Sequence, residues 1–248
     1  MPKSVNPNYI GKSPEFDDLK QLEGKFDTQM AAQQIDINTS DVIPDISTNP
    51  LNVYVPSTFN DSTKTWVDYM GNNNSSGYRG SPSYTTGSSS NNATNITEWV
   101  QGNTSAGIKF SHTSTSSGYT GFTISRYNGT EKRIWNSNAG NWLSGFWSGA
   151  APVAYHEGWL TDQTDRAGTS WVICVDQYNY FRGYYNGSNY GSTGGQSTNS
   201  GYWTLNASAS NAEYSDWAVY GFWYYNTTLS SSDRDQVVSY LKNLVGIS

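Results

Sequence analysis

Cysteine is almost missing from this chain: Cys174 is the only one in 248 residues. That excludes an internal disulfide framework, so packed apolar surface must hold the fold. Its setting, Trp171-Val-Ile-Cys-Val175, reads as a small buried apolar residue and not as a reactive thiol. Basic residues are few as well, 14 Lys and Arg against 20 Asp and Glu, for a net charge of −6. They form no cluster, which argues against nucleic acid as a partner, because phosphate binding needs concentrated positive charge. Histidine occurs only as His112 and His156, too few for a His-rich metal site, and neither adjoins a nucleophile motif such as Gly-x-Ser-x-Gly. No apolar run is long enough to cross a bilayer, and Met1–Gly11 lacks the apolar centre of a secretory signal. The expectation is a chain made in the cytoplasm, or one whose leader has been removed, with no membrane insertion.

What is abundant is Gly (24), Tyr (19) and Trp (10), together with Asn, Ser and Thr, while Leu and Ala are scarce. Such a composition makes short strands joined by polar turns. Its eleven Asn-x-Ser/Thr sequons read as a consequence of composition, not as glycosylation sites. Period-two alternation begins at residue 51, where 51–55 and 63–69 read as the first strands. Residues 71–95 read as a long polar loop with a short strand near Tyr84. Residues 97–100, 107–110, 121–126 and 132–135 alternate cleanly, with a hairpin turn at 127–130. Further strands follow at 141–147, 153–159, 168–175 and 180–187, the last turning at Asn186-Gly187, a strong hairpin signal.

Residues 201–205 precede a closing strand that puts Trp217, Val219, Gly221 and Trp223 on one face and Ala218, Tyr220, Phe222 and Tyr224 on the other. Both faces are apolar, so this strand is expected to be central and covered on both sides. Ser230–Ser232 then offer N-caps, Asp233 and Asp235 sit in a first helical turn, and Gly246 stands at the C′ position. Val237, Leu241, Leu244 and Val245 make the apolar stripe of this helix, which is expected to cover an open edge or end of the sheets. About a dozen strands and one terminal helix predict an all-β chain, an antiparallel two-sheet sandwich.

Residues 1–50 differ from the rest: five of the eight prolines lie here, with many acidic residues and no tryptophan. They read as an extended, partly helical arm attached to a domain at 51–248. Within it Leu19, Leu22, Phe26 and Met30 recur at helical spacing, an apolar side that needs a partner. That partner is either the chain's own domain or an assembly, including further copies of the chain.

The order of the later pieces resembles the concanavalin A-like, laminin-G-like jelly rolls. The residues that carry the resemblance are Phe181–Gly187, Asp216–Tyr225, Asn226, Leu229-Ser230, Tyr240-Leu241 and Gly246, with Asn141-Trp142-Leu143, Gly145, Trp147 and Glu157-Gly158-Trp159 fitting the middle strands. The resemblance implies a jelly-roll sandwich over residues 51–248 but leaves function open, because such folds host lectins, glycosidases, adhesion modules and virion proteins alike. Its laminarinase-type members carry Glu-x-Asp-x-x-Glu on one strand, which sets two carboxylates about 5 Å apart. No such motif is present; Glu98, Glu131, Glu157, Asp176 and Glu213 are scattered singly, so the expectation is no enzyme. Members often hold calcium at the rim, for which Asp162, Asp165 and Asp176 are the candidates.

Glycan binding needs aromatic faces for stacking and amides or hydroxyls for adaptable hydrogen bonds. Two stretches supply both: Trp147, Tyr155, His156 and Trp159, and then Tyr184, Tyr185, Asn186 and Tyr190. Alternation within strands assigns at least half of these aromatics to the core. A lectin-like sandwich with a Pro-rich acidic arm suits a virion surface protein, assembled in the host cytoplasm, whose arm binds capsid or tail proteins while the sandwich meets host glycans. A secreted carbohydrate-binding module is the alternative, and a glycoside hydrolase the third class.

Overall fold

The computed structural model describes residues 42–116, 118–178, 180–193, 201–207 and 213–248. Leu19, Leu22, Phe26 and Met30, and with them the expected arm helix, lie outside the described residues. The strands are β1 (Asn52–Tyr54), β2 (Phe59–Asn60), β3 (Thr65–Trp66), β4 (Gly77–Arg79), β5 (Ser83–Thr86), β6 (Glu98–Gly102), β7 (Gly107–Ser114) and β8 (Thr120–Tyr127). They continue as β9 (Trp135–Ser137), β10 (Trp142–Trp147), β11 (Ala150–His156), β12 (Val172–Gln177), β13 (Tyr180–Tyr185), β14 (Ser188–Thr193), β15 (Tyr202–Leu205) and β16 (Trp217–Tyr225). One helix, α1 (Ser231–Val245), closes the described chain.

Two antiparallel sheets form a sandwich. The larger runs β14-β13-β12-β8-β16-β6-β5, with β1 also paired to β16, and the smaller runs β11-β10-β9-β15-β7-β4. Between them lies one aromatic core, in which Trp135, Trp142 and Trp203 of the smaller sheet meet Trp217, Phe222 and Tyr224 of the larger. Trp142 and Trp203 are 4.7 Å apart in T-shaped contact, and Trp135 and Phe222 are 5.1 Å apart. A buried tryptophan removes about 200 Å² from water, worth about 5 kcal/mol before entropy is counted. Several of them stabilise a sandwich that has no disulfide to rely on.

The closing strand is central and covered on both faces, as its composition predicts, but its alternation is not simple. Val219 pairs with Ser125 and Gly221 with Ile124, so Tyr220 is an extra residue, a β-bulge. The bulge reverses the parity of the residues after it: Trp217 and Val219, then Phe222 and Tyr224, face the inter-sheet core. Trp223 turns to the opposite side, where its indole donates to the Val42 carbonyl at 2.8 Å. Tyr225 lies on that side too, edge-on to Phe122 at 5.8 Å.

Helix α1 begins where Ser230 Oγ accepts from the Asp233 N–H at 3.1 Å and ends where Gly246 adopts φ 68. Its buried residues are Val237, Val238, Leu241 and Val245. It packs on β12 across the outer face of the larger sheet, so it covers a face and not the expected edge or end. Arg234 sits 4.0 Å over the Tyr180 ring and donates to Gln177, and Lys242 lies 5.2 Å from the Tyr184 ring. An outer face rich in Ile173, Val175, Phe122 and Ile124 requires such a cover, because apolar surface left in water would oppose folding.

Two stretches depart from the alternation pattern, the first for a polar reason. The strand expected over 63–69 shrinks to β3, because the buried Asp68 carboxylate gathers the chain around itself. It accepts from the backbone N–H groups of Val53, Met70, Asn72 and Asn73 and from the Asn52 amide. The stretch 71–95 holds the short strand expected near Tyr84, β5, and one not expected, β4, each at the edge of one sheet. Among the sequons, Asn206 is wholly buried and its amide donates to the Ala106 and Ser215 carbonyls, a structural role that closes it to glycosylation.

Candidate functional site

Of the eight residues singled out for binding, Tyr190 lines a cleft at the sandwich edge formed by β11 and β14, and the others lie around that edge or are buried. After β11, Glu157 takes a left-handed φ of 55 and the chain folds back, with the Leu160 N–H donating to the Ala154 carbonyl at 3.0 Å. It then returns alongside β11, where Ala151 donates to Asp165 and Ala167 donates to Ala151. The segment 157–167 thus satisfies part of the free edge of the smaller sheet. On the other side Gly183 lets β13 approach: a Cβ there would stand 2.1 Å from the Pro152 side chain.

Trp159 is folded back against the outer side of the β10–β11 hairpin. Its ring lies 5.0 Å from Trp147 and 5.1 Å from Tyr155, both in T-shaped contact. Trp147 and Tyr155 rest in turn on Leu143, Ala150 and Val153. Trp159 is 37% exposed, so the three rings form a surface patch on an apolar base. His156 does not share it. It points into the core, 2% exposed, stacked on Trp142 at 5.2 Å and hydrogen-bonded through Nε2 to Asp176 at 3.1 Å. Adjacent residues of a strand face opposite sides, which corrects the grouping of His156 with Tyr155 as a ligand contact.

The second stretch is the β13–β14 hairpin. Asn186 and Gly187 take φ 51 and 73, as a two-residue turn requires, and both are exposed. Tyr184 is 7% exposed and lies under Lys242, so it serves helix docking and not a surface site. Tyr185 faces the other way and stacks on Tyr190, with centroids 5.0 Å apart and planes 21° from parallel. Only Tyr190 and Asn186 of this group are open to a ligand, and they differ in place. Tyr190, with Asn189 and Gly191, forms one wall of a cleft of about 420 Å³ whose other wall is Pro152, Leu160, Thr161, Asp162 and Asp165.

This cleft joins residues that no motif connects. Burial raises the Asp165 carboxyl above the usual carboxylate range, the nearby Asp162 charge adds to this, and Arg166 opposes it. Burial, and then the hydrogen bond with Tyr190, push Tyr185 up to about 12. Asp162 already accepts from the Thr164 hydroxyl at 3.0 Å, which holds its carboxylate in place. The three aspartates considered for calcium are not together: Asp162 and Asp165 share the cleft, whereas Asp176 is buried between the sheets, accepting from the Tyr119 hydroxyl at 2.6 Å. Among the described residues no group of three or more His, Cys, Asp or Glu is placed to hold a metal ion. Sequence reasoning missed Thr161 and Asn189 as cleft residues. The available signal was Asp162-x-x-Asp165 in a polar segment between two aromatic strands.

No family model matches this chain, and no curated protein matches it. Among solved structures, domain 4 of AbnA, a GH43 extracellular arabinanase from Geobacillus stearothermophilus in complex with arabinotriose, is 13% identical with a TM-score of 0.47, over 80% of this chain and 98% of that one. The binding domain of botulinum neurotoxin DC in complex with SialylT is 13% identical with a TM-score of 0.46, over 79% of this chain and 51% of that one. Trypanosoma rangeli sialidase in complex with the inhibitor DANA is 10% identical with a TM-score of 0.42, over 92% of this chain and 39% of that one. At these identities and with TM-scores under 0.5, the likenesses carry neither fold nor function to this chain.

Proposed function

We propose that the sandwich is a non-catalytic glycan-binding module of the lectin-like, jelly-roll kind, and that a saccharide seats in the β11–β14 edge cleft. The observation that carries this reading is the convergence of Tyr190, Asn189, Thr161, Asp162 and Asp165 on one cavity of about 420 Å³. A sugar offers an apolar ring face to an aromatic side chain and pairs of hydroxyls to carboxylate and amide groups. The cleft supplies one aromatic ring, one amide and two carboxylates, and the patch of Trp147, Tyr155 and Trp159 adjoins it through the peptide from Trp159 to Leu160. In this reading the module belongs to a virion surface protein held to capsid or tail proteins by residues 1–50. The Pro-rich, acidic composition of that segment supports the tether.

A glycan array probed with the intact protein tests the binding reading. Hits are expected, and they should weaken at least about tenfold, ~1.4 kcal/mol, in Tyr190→Ala and Asp165→Asn variants that keep the parent melting temperature. A blank array, or unchanged binding by both variants, removes the reading. For the tether, a chain lacking residues 1–39, which keeps the Val42 carbonyl on the Trp223 indole, should no longer enter particles; incorporation of the truncated chain refutes it. One observation favours a second reading, glycoside hydrolysis: Asp165 and Asp162 share a cleft and the Asp165 carboxyl is raised, as a general acid requires. Release of reducing sugar by the wild type and not by Asp165→Asn would replace binding by catalysis.

A further inference from the structure

A second cleft lies where the ends of β6, β8 and β16 meet the edge strand β5. It has a volume of about 370 Å³ and is lined by Ser81, Ser83, Gln101, Asn103, Asn128 and Asp216 around Gly102. Strand pairing brings these residues together: Ser83 is opposite Gln101, and Trp217 is opposite both Gly102 and Tyr127. The turns that follow β6 and β8 therefore flank Asp216. They also orient it, since its carboxylate accepts the Thr104 N–H at 2.9 Å and the Thr130 N–H at 2.8 Å. Gly129 keeps this arrangement open, because a Cβ there would stand 2.5 Å from the Asp216 carboxylate.

The hydrogen-bonding capacity of the lining is only partly used by the protein. Gln101 Oε1 accepts from the Trp99 indole at 2.9 Å and from the Asn128 amide at 3.4 Å, while the Gln101 Nε2 has no acceptor among the described residues. Asn103 Oδ1 accepts from the Ser105 N–H and hydroxyl, and its own amide nitrogen has no acceptor among them either. The Ser81 and Ser83 hydroxyls are likewise unengaged among the described residues, and Asp216 keeps a spare lone pair on each oxygen. The cleft therefore offers amide donors, hydroxyls that serve either way, and a fixed carboxylate acceptor.

We infer that this is a second binding site, distinct from the β11–β14 cleft, and that it takes a neutral polyhydroxylated ligand, a saccharide unit without acidic groups. Its size falls in the range of about 300–1,000 Å³ that small ligands occupy. Among the described residues no cationic side chain lines it and Asp216 does, so an anionic sugar or a phosphate is repelled. Among the described residues every lining side chain is polar apart from Gly102, so the cleft offers a peptide no apolar anchor site. The assignment stands whether or not the other cleft binds a glycan.

The test is a titration of the ¹⁵N-labelled full chain with neutral gluco-, galacto- and manno-trisaccharides, and in parallel with sialyl- and uronate-containing ones. At least one neutral sugar should shift the side-chain amides of Gln101, Asn103 and Asn128 saturably, and acidic sugars should act at least about tenfold more weakly. Ser83→Trp, which fills the cleft from an edge strand, should cut the affinity read at these amides by about tenfold or more, whereas Tyr190→Ala should leave it unchanged. The assignment is overturned if no sugar of the panel moves these three amides, if acidic sugars are preferred, or if a folded Ser83→Trp chain responds like the parent. Failure of the other cleft shows separately, as unchanged glycan-array binding by Tyr190→Ala.

Discussion

Raising the pH above 10 should unfold this protein within a narrow window, because four of its tyrosines are sealed in the core. Tyr54, Tyr119, Tyr127 and Tyr225 are at most 1% exposed. Burial is the largest cause holding each phenol above its ordinary value, and Asp68, Asp176 and Asp233 add to it at Tyr54, Tyr119 and Tyr225. A phenol whose folded pKa exceeds the unfolded one keeps its proton in the native state after the unfolded chain has released it. The associated stability is therefore complete below about pH 10 and is lost as pH rises from there toward the folded value. Each group loses about 1.36 kcal/mol per pH unit, so the four together remove about 6 kcal/mol at pH 11. That compares with a total domain stability of about 5–15 kcal/mol. Urea midpoints read by tryptophan fluorescence should stay level to about pH 9.5 and fall steeply by about pH 11, with tyrosinate absorbance rising in step. A level midpoint through about pH 11, or all tyrosines ionising near pH 10 in a chain with native fluorescence, would refute the reasoning.

Three substitutions probe the scaffold. Gly183→Ala places a methyl group 2.1 Å from Pro152 and should destabilise by about 1–3 kcal/mol, read from a chevron or urea midpoint. A parent-like midpoint would show that the sandwich edge yields freely. Asp68→Ala strands the N–H groups of Val53, Met70, Asn72 and Asn73 and should cost more than about 3 kcal/mol, whereas a cost below about 1 kcal/mol would mean that water replaces the carboxylate at no penalty. Ser230→Ala removes the acceptor for the Asp233 N–H and should lower stability by about 1 kcal/mol, with Ser230→Asp restoring it. No loss in the alanine variant would place the start of helix α1 elsewhere.

Local rules carry far in this chain. Asn186-Gly187 announces its hairpin, and Ser230 and Gly246 announce the two ends of the helix, because each feature depends on the conformational preference of one or two residues. Clean alternation marks β6, β7 and β8 for the same kind of reason: side chains on a pleated strand must take turns. The bulge at Tyr220 is invisible, since one extra residue in a run of aromatics leaves no mark until the strand pairs with Ser125 and Ile124. The hub at Asp68 is equally silent, because its partners are mostly backbone N–H groups, which every residue except proline possesses.

The amino-acid sequence by itself determined an all-β chain with a capped terminal helix, an aromatic core without disulfides, and the set of aromatic and acidic residues available for binding. Those are consequences of composition, periodicity and end-capping, which act over a few residues. Only the tertiary structure decided that Tyr190 faces Asp162 and Asp165, that His156 is buried beside Asp176, and that Gln101, Asn128 and Asp216 share a cleft. These are matters of which strand lies beside which. Strand order is set by burial summed over the whole sandwich, so it comes from the fold and from no single stretch of the chain.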